Sequence, residues 1–274
     1  MTTEVRYHLL RPDQIVERRT ACPIVYIPLG TLEWHGVHNA VGADALQAEG
    51  IAIRCAQLGG GLVFPPLYYG ETRIESLMEA DAKDRDQIAA IMGLDMDDFT
   101  PERSPFSPME QALNYQRLLI HMLAEVDALG FKVAVFVAGH YPLIDHANCA
   151  VSTYCQRVYN HRGKMIPWAF ADYQLVSHLY ENAGDHAAIW ETSHMMALHP
   201  DTVDLTKLPP KGEPLVGVMG NTYPQDATAE YGREIIEAAA EIAVKEAHHR
   251  LKYPQRYIGH GVALQTGLWK EEEA

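Results

Sequence analysis

The sequence predicts an α/β fold, a three-layer αβα sandwich built around a mainly parallel sheet. Short apolar runs of strand length alternate along the chain with longer stretches of helix-forming residues. One run, KVAVFVAGH at 132–140, is apolar at nearly every position, which is typical of a strand covered on both faces. With 274 residues, 47% of them hydrophobic, the chain is long enough to bury a full core.

The predicted elements follow the order β-α-β-α-β-α-β and finish with a long amphipathic helix. Their boundaries come from local stop signals: glycines at 59–61 close the first helix, prolines at 65–66 end the second strand, and Gly130 ends the second helix. These signals and the hydrophobic pattern predict strands at 24–29, 62–64, 132–140 and 164–173, and helices at 45–58, 109–129, 148–160 and 227–251.

Residues 1–274 are interpreted as a single domain that two segments interrupt. Residues 71–108 are acidic and rich in methionine, and we expect them to form a partly helical insertion over one end of the sheet. Residues 199–224 carry five prolines, which predict an extended loop. The sequence contains no internal repeat that would indicate a solenoid or a second copy of the same domain.

Composition excludes several classes of partner. The formal net charge is −14 and no cluster of Lys and Arg occurs, which argues against nucleic acid and against an anionic membrane. The four cysteines form no C-x-x-C pair and are interpreted as reduced core residues. The first residues contain no apolar stretch of the kind found in signal peptides. We therefore predict a cytoplasmic protein whose partner is a small molecule.

Residue types that bind metals follow three of the predicted strands, where open α/β sheets bind their ligands. They are Glu33, His35, His38 and Asp44 after the first strand, His140 after the third, and Asp185, His186 and Glu191 after the fourth. Mixed nitrogen and oxygen donors suit zinc, manganese or iron, and an aspartate can bridge two such ions. The three strand ends therefore predict a divalent-metal site.

The spacing within this set has structural alternatives. Glu33 and His35 are two residues apart and point the same way on an extended stretch, with Trp34 turned into the packing. Asp44, however, is also placed to cap the helix at 45–58. His140 is alternatively an ordinary hydrogen-bonded histidine, and Glu191 a carboxylate facing a helix dipole.

Three segments resemble the motifs of the creatininase, or creatinine amidohydrolase, family of metal-dependent hydrolases. They are PLGTLEWHGVHNAVGAD at 28–44, VAGHY at 137–141 and GDHAAIWETSHMMALHPDTVDL at 184–205. The similarity runs from residue 24 to the helix that contains ATAEYGREII. It implies the creatininase-like form of the αβα sandwich and a homohexamer built from dimers.

The resemblance also implies roles for individual residues. Glu33, Asp44 and His140 are expected to hold one divalent ion, while His35 and the bridging Asp44 hold the other. A metal-bridging hydroxide is expected to attack the carbonyl carbon of the substrate. His186 is the expected general acid that passes a proton to the leaving group. The two ions are expected to be zinc, manganese or iron.

The chain departs from the creatinine-hydrolysing members at several positions. Pro142 stands where those members have a metal-binding glutamate, and we assign the missing ligand to Glu191, as in another branch of the family. Asn182 and Ala183 stand where a Trp-Asp pair closes over creatinine. The family's Gly-Ser-Glu-His stretch is replaced by residues 68–84. Creatinine is therefore not the expected substrate.

The segment GDHAAIWETS resembles the cyclitol branch, which hydrolyses diketo-inositols such as 3-dehydro-scyllo-inosose in inositol catabolism. We therefore weigh a cyclic diketone, with C–C cleavage, equally with a cyclic amide, with C–N cleavage. The residues expected to contact such a substrate are Tyr69, Glu71, Arg73, Tyr141 and Asp185. Alternatively, these polar groups only cap the insertion.

A non-catalytic interpretation remains beside the hydrolase. In that interpretation the same residues bind one structural zinc, or the protein is a metal-free interaction module whose acidic surface recruits a partner. Structural zinc sites are usually closed and rich in cysteine, and no cysteine lies in these motifs. This favours the enzyme.

Overall fold

The centre of the protein is a four-stranded parallel sheet. The computed structural model describes residues 4–70, 84–98, 106–158 and 165–257. Its strands are β1 (Ile24–Leu29), β2 (Leu62–Val63), β3 (Val133–Ala138) and β4 (Ile166–Ala171), arranged in the order β2-β1-β3-β4. Leu29 pairs with Ala138, and Ala138 pairs with Ala171, so the three long strands end level with one another.

Eight α-helices surround this sheet in the described part of the chain. They are α1 (Pro12–Ala21), α2 (Ala43–Gly59), α3 (Arg85–Met92), α4 (Pro108–Ala128), α5 (Leu143–Val158), α6 (Asp172–Val176), α7 (Ile189–Leu198) and α8 (Ala229–Lys252). Short 3₁₀ turns connect several of them, including two in the predicted loop at 199–224. No helix among the described residues is both long and apolar enough to cross a membrane.

The helices form two layers, one on each face of the sheet. Residues Ile24 and Tyr26 of β1 pack towards α2 and α8, while Val25 and Ile27 pack towards α4 and α5. Every residue of the four strands is buried, including Pro28 and Pro167. Because both faces are covered, the strands show no polar alternation. The predicted αβα sandwich is confirmed.

For most of the predicted elements, the boundaries agree with the structure to within a few residues. The strand at 24–29 is confirmed as predicted, and the helix at 148–160 begins five residues earlier, at Leu143. Three helices had not been predicted: α1, α7 and the short α6, whose first two residues fall in the predicted strand at 164–173. Helix α1 buries none of its residues, so it carries no hydrophobic stripe. Helix α7 is buried over six consecutive positions, four of them polar, so its sequence shows no hydrophobic stripe either.

Part of the expected insertion covers the loop that follows β1. Ile88 and Ala89 of α3 pack against Trp34. The carboxylate of Asp84 accepts a hydrogen bond from the backbone N–H of Gly217, which ties this region to the 199–224 segment. Residues 71–83 and 99–105 of the insertion lie outside the described part of the chain.

Two glycines at the strand ends allow α2 to approach the sheet edge. A Cβ atom at Gly139, directly after β3, would lie 1.9 Å from the carbonyl oxygen of Asp44. A Cβ atom at Gly30, directly after β1, would lie 2.2 Å from the backbone nitrogen of Ala45. Because only glycine leaves room for this contact, the first turn of α2 rests on the ends of both strands. This contact brings Asp44 to the edge where the other predicted ligands lie.

Candidate metal centre

The five predicted metal ligands meet at the carboxyl ends of the strands. They come from the loop after β1, the first turn of α2, the loop after β3 and the first turn of α7, and are Glu33, His35, Asp44, His140 and Glu191. Their donor atoms form two three-residue groups that share Asp44, and a third group joins Glu33 and His35 with His186. Within each group the atoms lie within 4.8 Å of one another. All five side chains are buried or nearly so.

The first group consists of Glu33, Asp44 and His140. The Nδ1 atom of His140 lies 2.9 Å from Oε2 of Glu33 and 3.3 Å from Oδ2 of Asp44. Both oxygens are shielded from solvent, and neither makes an aligned hydrogen bond with the described residues. Buried carboxylate oxygens normally have donors or bind a cation. The donor set therefore fits a divalent ion.

The second group consists of His35, Asp44 and Glu191. The Nε2 atom of His35 lies 3.0 Å from Oδ1 of Asp44 and 3.4 Å from Oε2 of Glu191. Its Nδ1 atom is 3.1 Å from the carbonyl oxygen of Glu33, which can only accept, so Nδ1 carries the proton. This leaves the Nε2 lone pair for a cation, an arrangement that metal-binding histidines commonly have.

Without cations, protonated histidines balance the charge of the carboxylates. Burial alone would lower the pKa of His140, but the carboxylates of Asp44 and Glu33 outweigh burial and raise it to about 10. Burial likewise opposes a charged His35, yet Asp44 and Glu191 raise its pKa well above the usual value. For Asp44, burial is outweighed by the two histidines, which lower the pKa. The site therefore attracts positive charge strongly.

Asp44 is not the cap of its helix, although the sequence left that alternative open. Helix α2 begins at Ala43, and Gly42 occupies the N-cap position without any side-chain cap. Asp44 lies inside the first turn, 1% exposed, with its two oxygens turned to different histidines. Its carboxylate therefore serves the two groups rather than the backbone of the helix.

Glu191 is fixed at both oxygens. Its Oε2 atom accepts a hydrogen bond of 2.8 Å from the backbone N–H of Ala187. Its Oε1 atom accepts one of 3.1 Å from the side-chain amide of Gln47, a buried residue of α2. Sequence reasoning missed Gln47, because a glutamine within a helix carries no signal of a role in a site.

His186 lies beside the second group with one ring nitrogen free. Its Nε2 atom is 2.8 Å from the carbonyl oxygen of Trp34, so Nε2 carries a proton and donates it. Its Nδ1 atom lies 4.0 Å from Oε2 of Glu191, and its ring centroid lies 4.5 Å from that of His35. The backbone of His186 exchanges two hydrogen bonds with Met219. The ring and the backbone of His186 are thus both held in place.

The turn after His186 adopts a rare backbone conformation. Ala187 has a φ of +57°, which costs free energy for a residue other than glycine. Its carbonyl oxygen accepts hydrogen bonds from Nε2 of His38 and the hydroxyl of Thr192. Burial lowers the pKa of His38 to about 4, so it stays neutral. His38 therefore supports this turn and lies outside the groups of possible metal ligands.

Asp185 and Tyr141, both predicted substrate contacts, border the ligands in different ways. Asp185 accepts hydrogen bonds from the backbone N–H groups of Ala188, Trp190 and Glu191 and so caps α7. The Tyr141 hydroxyl is shielded from solvent and makes no hydrogen bond with the described residues. Burial, together with nearby carboxylates, raises its pKa well above the usual value, so it stays protonated.

The remaining predicted substrate contacts are less informative. Tyr69 is 72% exposed, and Glu71 and Arg73 lie outside the described residues. Pro142 stands where creatinine-hydrolysing members have a metal-binding glutamate. It lies directly before α5 and is exposed. Asn182 and Ala183 lie in the turn before Gly184.

The chain matches one family model, Creatininase: Creatinine amidohydrolase, over residues 8–78 and 110–246. These ranges contain all five predicted ligands and His186. A comparison with curated proteins gives no match.

Several solved structures share the fold. A creatinine amidohydrolase (creatininase) is 19% identical with a TM-score of 0.67, and the match covers 92% of this chain and 99% of that chain. A glutamate-to-glutamine variant of creatininase, described as a Zn-Zn type, is 20% identical with a TM-score of 0.67 and coverages of 92% and 100%. A protein from Bacteroides fragilis NCTC 9343, provisionally named creatinine amidohydrolase, is 16% identical with a TM-score of 0.61 and coverages of 98% and 100%.

Proposed function

The chain belongs to the creatininase family, and from this premise we propose that it is a metal-dependent hydrolase of a small cyclic substrate. In this proposal an activated water attacks a carbonyl carbon of the substrate. Glu33, Asp44 and His140 hold one divalent ion, and His35, Asp44 and Glu191 hold the other.

The observation that carries this proposal is the orientation of Asp44. Its Oδ1 and Oδ2 atoms face different histidines, and each histidine belongs to a different group of possible ligands. A carboxylate so placed would offer one oxygen to each of two cations, and the charge of two such cations would offset that of the three buried carboxylates. Zinc or manganese suits these donors, and solved creatininases include a form described as Zn-Zn and one described as Mn.

The chemistry that two bound divalent ions supply is Lewis acidity, which lowers the pKa of a coordinated water and polarises a carbonyl oxygen. The protein's own contribution is to hold the ligands and to move a proton. The Nδ1 atom of His186 is free to do so because Nε2 is engaged by the carbonyl oxygen of Trp34. His186 takes up a proton of the attacking water at Nδ1 and delivers it to the leaving group of the ring that opens.

The substrate is proposed to be a cyclic amide or a cyclic diketone such as a dehydro-inosose, so the bond that breaks is C–N or C–C. Creatinine is not proposed, because Asn182 and Ala183 replace the residues expected to close over it. The Tyr141 hydroxyl supports a polar substrate, since it is buried, protonated and without a hydrogen-bond acceptor among the described residues. It is the best-placed donor for an oxygen atom of the substrate.

A mass-spectrometric screen tests this function. Protein loaded with Zn²⁺ or Mn²⁺ is incubated separately with cyclic amides and with cyclic diketones, and products heavier by one water are sought. We expect ring opening in one of the two classes, loss of activity after EDTA treatment, and recovery on adding metal back. Hydrolysis that persists in metal-free protein would contradict the mechanism. The absence of a product from both classes of compound would contradict the proposed substrate.

The alternative is a non-catalytic metal-binding or structural protein with the same fold. It is distinguished by metal that raises the melting temperature while no substrate is turned over, since a bound ligand stabilises the folded state through linkage. A homo-oligomer, with a hexamer as its expected form, remains part of the proposal. Light scattering on the purified protein measures that state.

A further inference from the structure

Gln47 is a buried polar residue of α2, one turn after Asp44. Its side chain is 1% exposed, and its amide nitrogen Nε2 lies 3.1 Å from Oε1 of Glu191 and 3.2 Å from the carbonyl oxygen of Gly139. Glu191 is 144 positions away in the chain. Gln47 thus joins α2, the end of β3 and α7 at one point.

The orientation of this amide follows from its neighbours. A carboxylate and a backbone carbonyl can only accept hydrogen bonds, so the side chain must present its NH₂ group to both of them. The reversed amide would place its oxygen against two other oxygens. The Oε1 atom of Gln47 makes no hydrogen bond with the described residues, although it is shielded from solvent. The position therefore tolerates an unsatisfied acceptor in order to supply two donors.

The effect on Glu191 is to fix the plane of its carboxylate. Gln47 holds Oε1, and the backbone N–H of Ala187, 2.8 Å away, holds Oε2. With both oxygens held, Oε2 faces Nε2 of His35 at 3.4 Å. In the first group, Oε2 of Glu33 and Oδ2 of Asp44 make no aligned hydrogen bond with the described residues, and the group that faces both is the imidazole of His140, itself a predicted ligand.

We infer that Gln47 is a positioning residue for the ion held by the second group, because it orients Glu191. It has no comparable effect on the ion held by the first group. This inference rests on the proposed function, because it assumes that Glu191 binds a cation. Residues that orient metal ligands typically change metal affinity by about 10- to 100-fold when they are replaced. Gln47 is expected to act within that range and on one of the two ions only.

The test compares metal binding in Gln47→Met with the wild type. Methionine has a similar length but no donor, so it removes both hydrogen bonds without opening a large cavity. Metal-free protein is titrated with Zn²⁺ by calorimetry and with Co²⁺ by absorption spectroscopy. We expect the equivalent that binds at the second group to bind about 10- to 100-fold more weakly in the variant. The equivalent that binds at the first group keeps its affinity and its spectrum. Gln57→Met, at an exposed position of the same helix, is the matched control and leaves both equivalents unchanged.

A double variant separates positioning from a general structural effect. Glu191→Gln is expected to lose the second equivalent by itself. If Gln47 acts through Glu191, adding Gln47→Met to that variant causes no further loss at the first equivalent. A loss at the first equivalent in the double variant contradicts the inference. If Gln47→Met does not fold in its metal-free form, Gln47→Leu takes its place in both arms.

The inference and the proposed function fail in different ways. Wild-type protein that binds fewer than two ions contradicts the proposed function, whatever the Gln47 variant does. Wild-type protein that binds two ions, together with a Gln47→Met variant that binds both equally tightly, contradicts the inference alone.

Discussion

The Oδ1 atom of Asp44 lies 3.0 Å from Nε2 of His35, which leaves the other oxygen of the carboxylate to the opposite half of the site. That second oxygen lies 3.3 Å from Nδ1 of His140. One side chain therefore joins the two halves of the site.

Replacing Asp44 by asparagine is expected to remove both ions. The amide has one oxygen and no charge, so it cannot bridge, and the remaining carboxylates lose the shared ligand. Elemental analysis of purified Asp44→Asn should give less than one metal per chain. Asp201→Asn, at an exposed position, is the control and should keep the wild-type content. An Asp44→Asn protein with full metal content would show that Asp44 does not bridge two ions.

His186→Ala is expected to keep both ions and lose turnover. Removing a general acid typically costs about 10²- to 10⁴-fold in rate, and this effect should appear in kcat. His178→Ala, at an exposed position after α6, should leave the rate unchanged. A His186→Ala enzyme with wild-type kcat would rule out the proton transfer, and one that has lost an ion would make His186 a ligand instead.

The buried pair of His194 and Asp172 is expected to give the protein a pH-dependent stability. Burial opposes a charged His194, but the carboxylate of Asp172, whose Oδ2 lies 3.2 Å from Nε2, outweighs burial and raises the pKa of the imidazole. A raised folded-state pKa stabilises the protein fully below the unfolded value of about 6.5. This stabilisation is lost as the pH rises through the folded value.

His194→Gln keeps a donor near Asp172 but removes the titration. In metal-free protein, the wild type should exceed the variant in free energy of unfolding by about 1 to 2 kcal/mol at pH 6, and the difference should shrink towards pH 9. Urea unfolding across this range measures it. A difference that stays constant or grows with pH would contradict the assignment of a charged His194.

Gly139→Ala is expected to destabilise the fold strongly. The new methyl group would meet the backbone carbonyl of Asp44 at 1.9 Å, so α2 must move off the strand ends. We expect a loss of about 3 kcal/mol or more in the free energy of unfolding. Gly50→Ala is the comparison, because its methyl meets only the flexible side chain of Leu198 and should cost less. Equal stability of the two variants would show that the close approach is not needed.

The sequence predicted the parts of the molecule that local pattern determines. The strand at 24–29 is apolar throughout, and the metal-binding residue types follow the strands at the positions where parallel strands end together. Their convergence could therefore be expected before the fold was known. Helix α7 could not be expected, because four of its six consecutive buried residues are polar and no hydrophobic stripe marks it in the sequence.

Residues that act through tertiary contacts gave no such signal. Gln47 supports Glu191 from another helix, and the carbonyl oxygen of Trp34 fixes the proton on His186. Both contacts depend on how distant segments pack, and neither has a spacing that a sequence pattern can carry. Asp185 was predicted from the sequence as a substrate contact, but its carboxylate oxygens accept hydrogen bonds from backbone N–H groups at the start of α7.

Anomalous diffraction from crystals grown with Mn²⁺ or Zn²⁺ tests the binuclear centre most directly. We expect two anomalous peaks per chain, one among Glu33, Asp44 and His140 and the other among His35, Asp44 and Glu191. A single peak, or peaks that Asp44 does not touch, would contradict it.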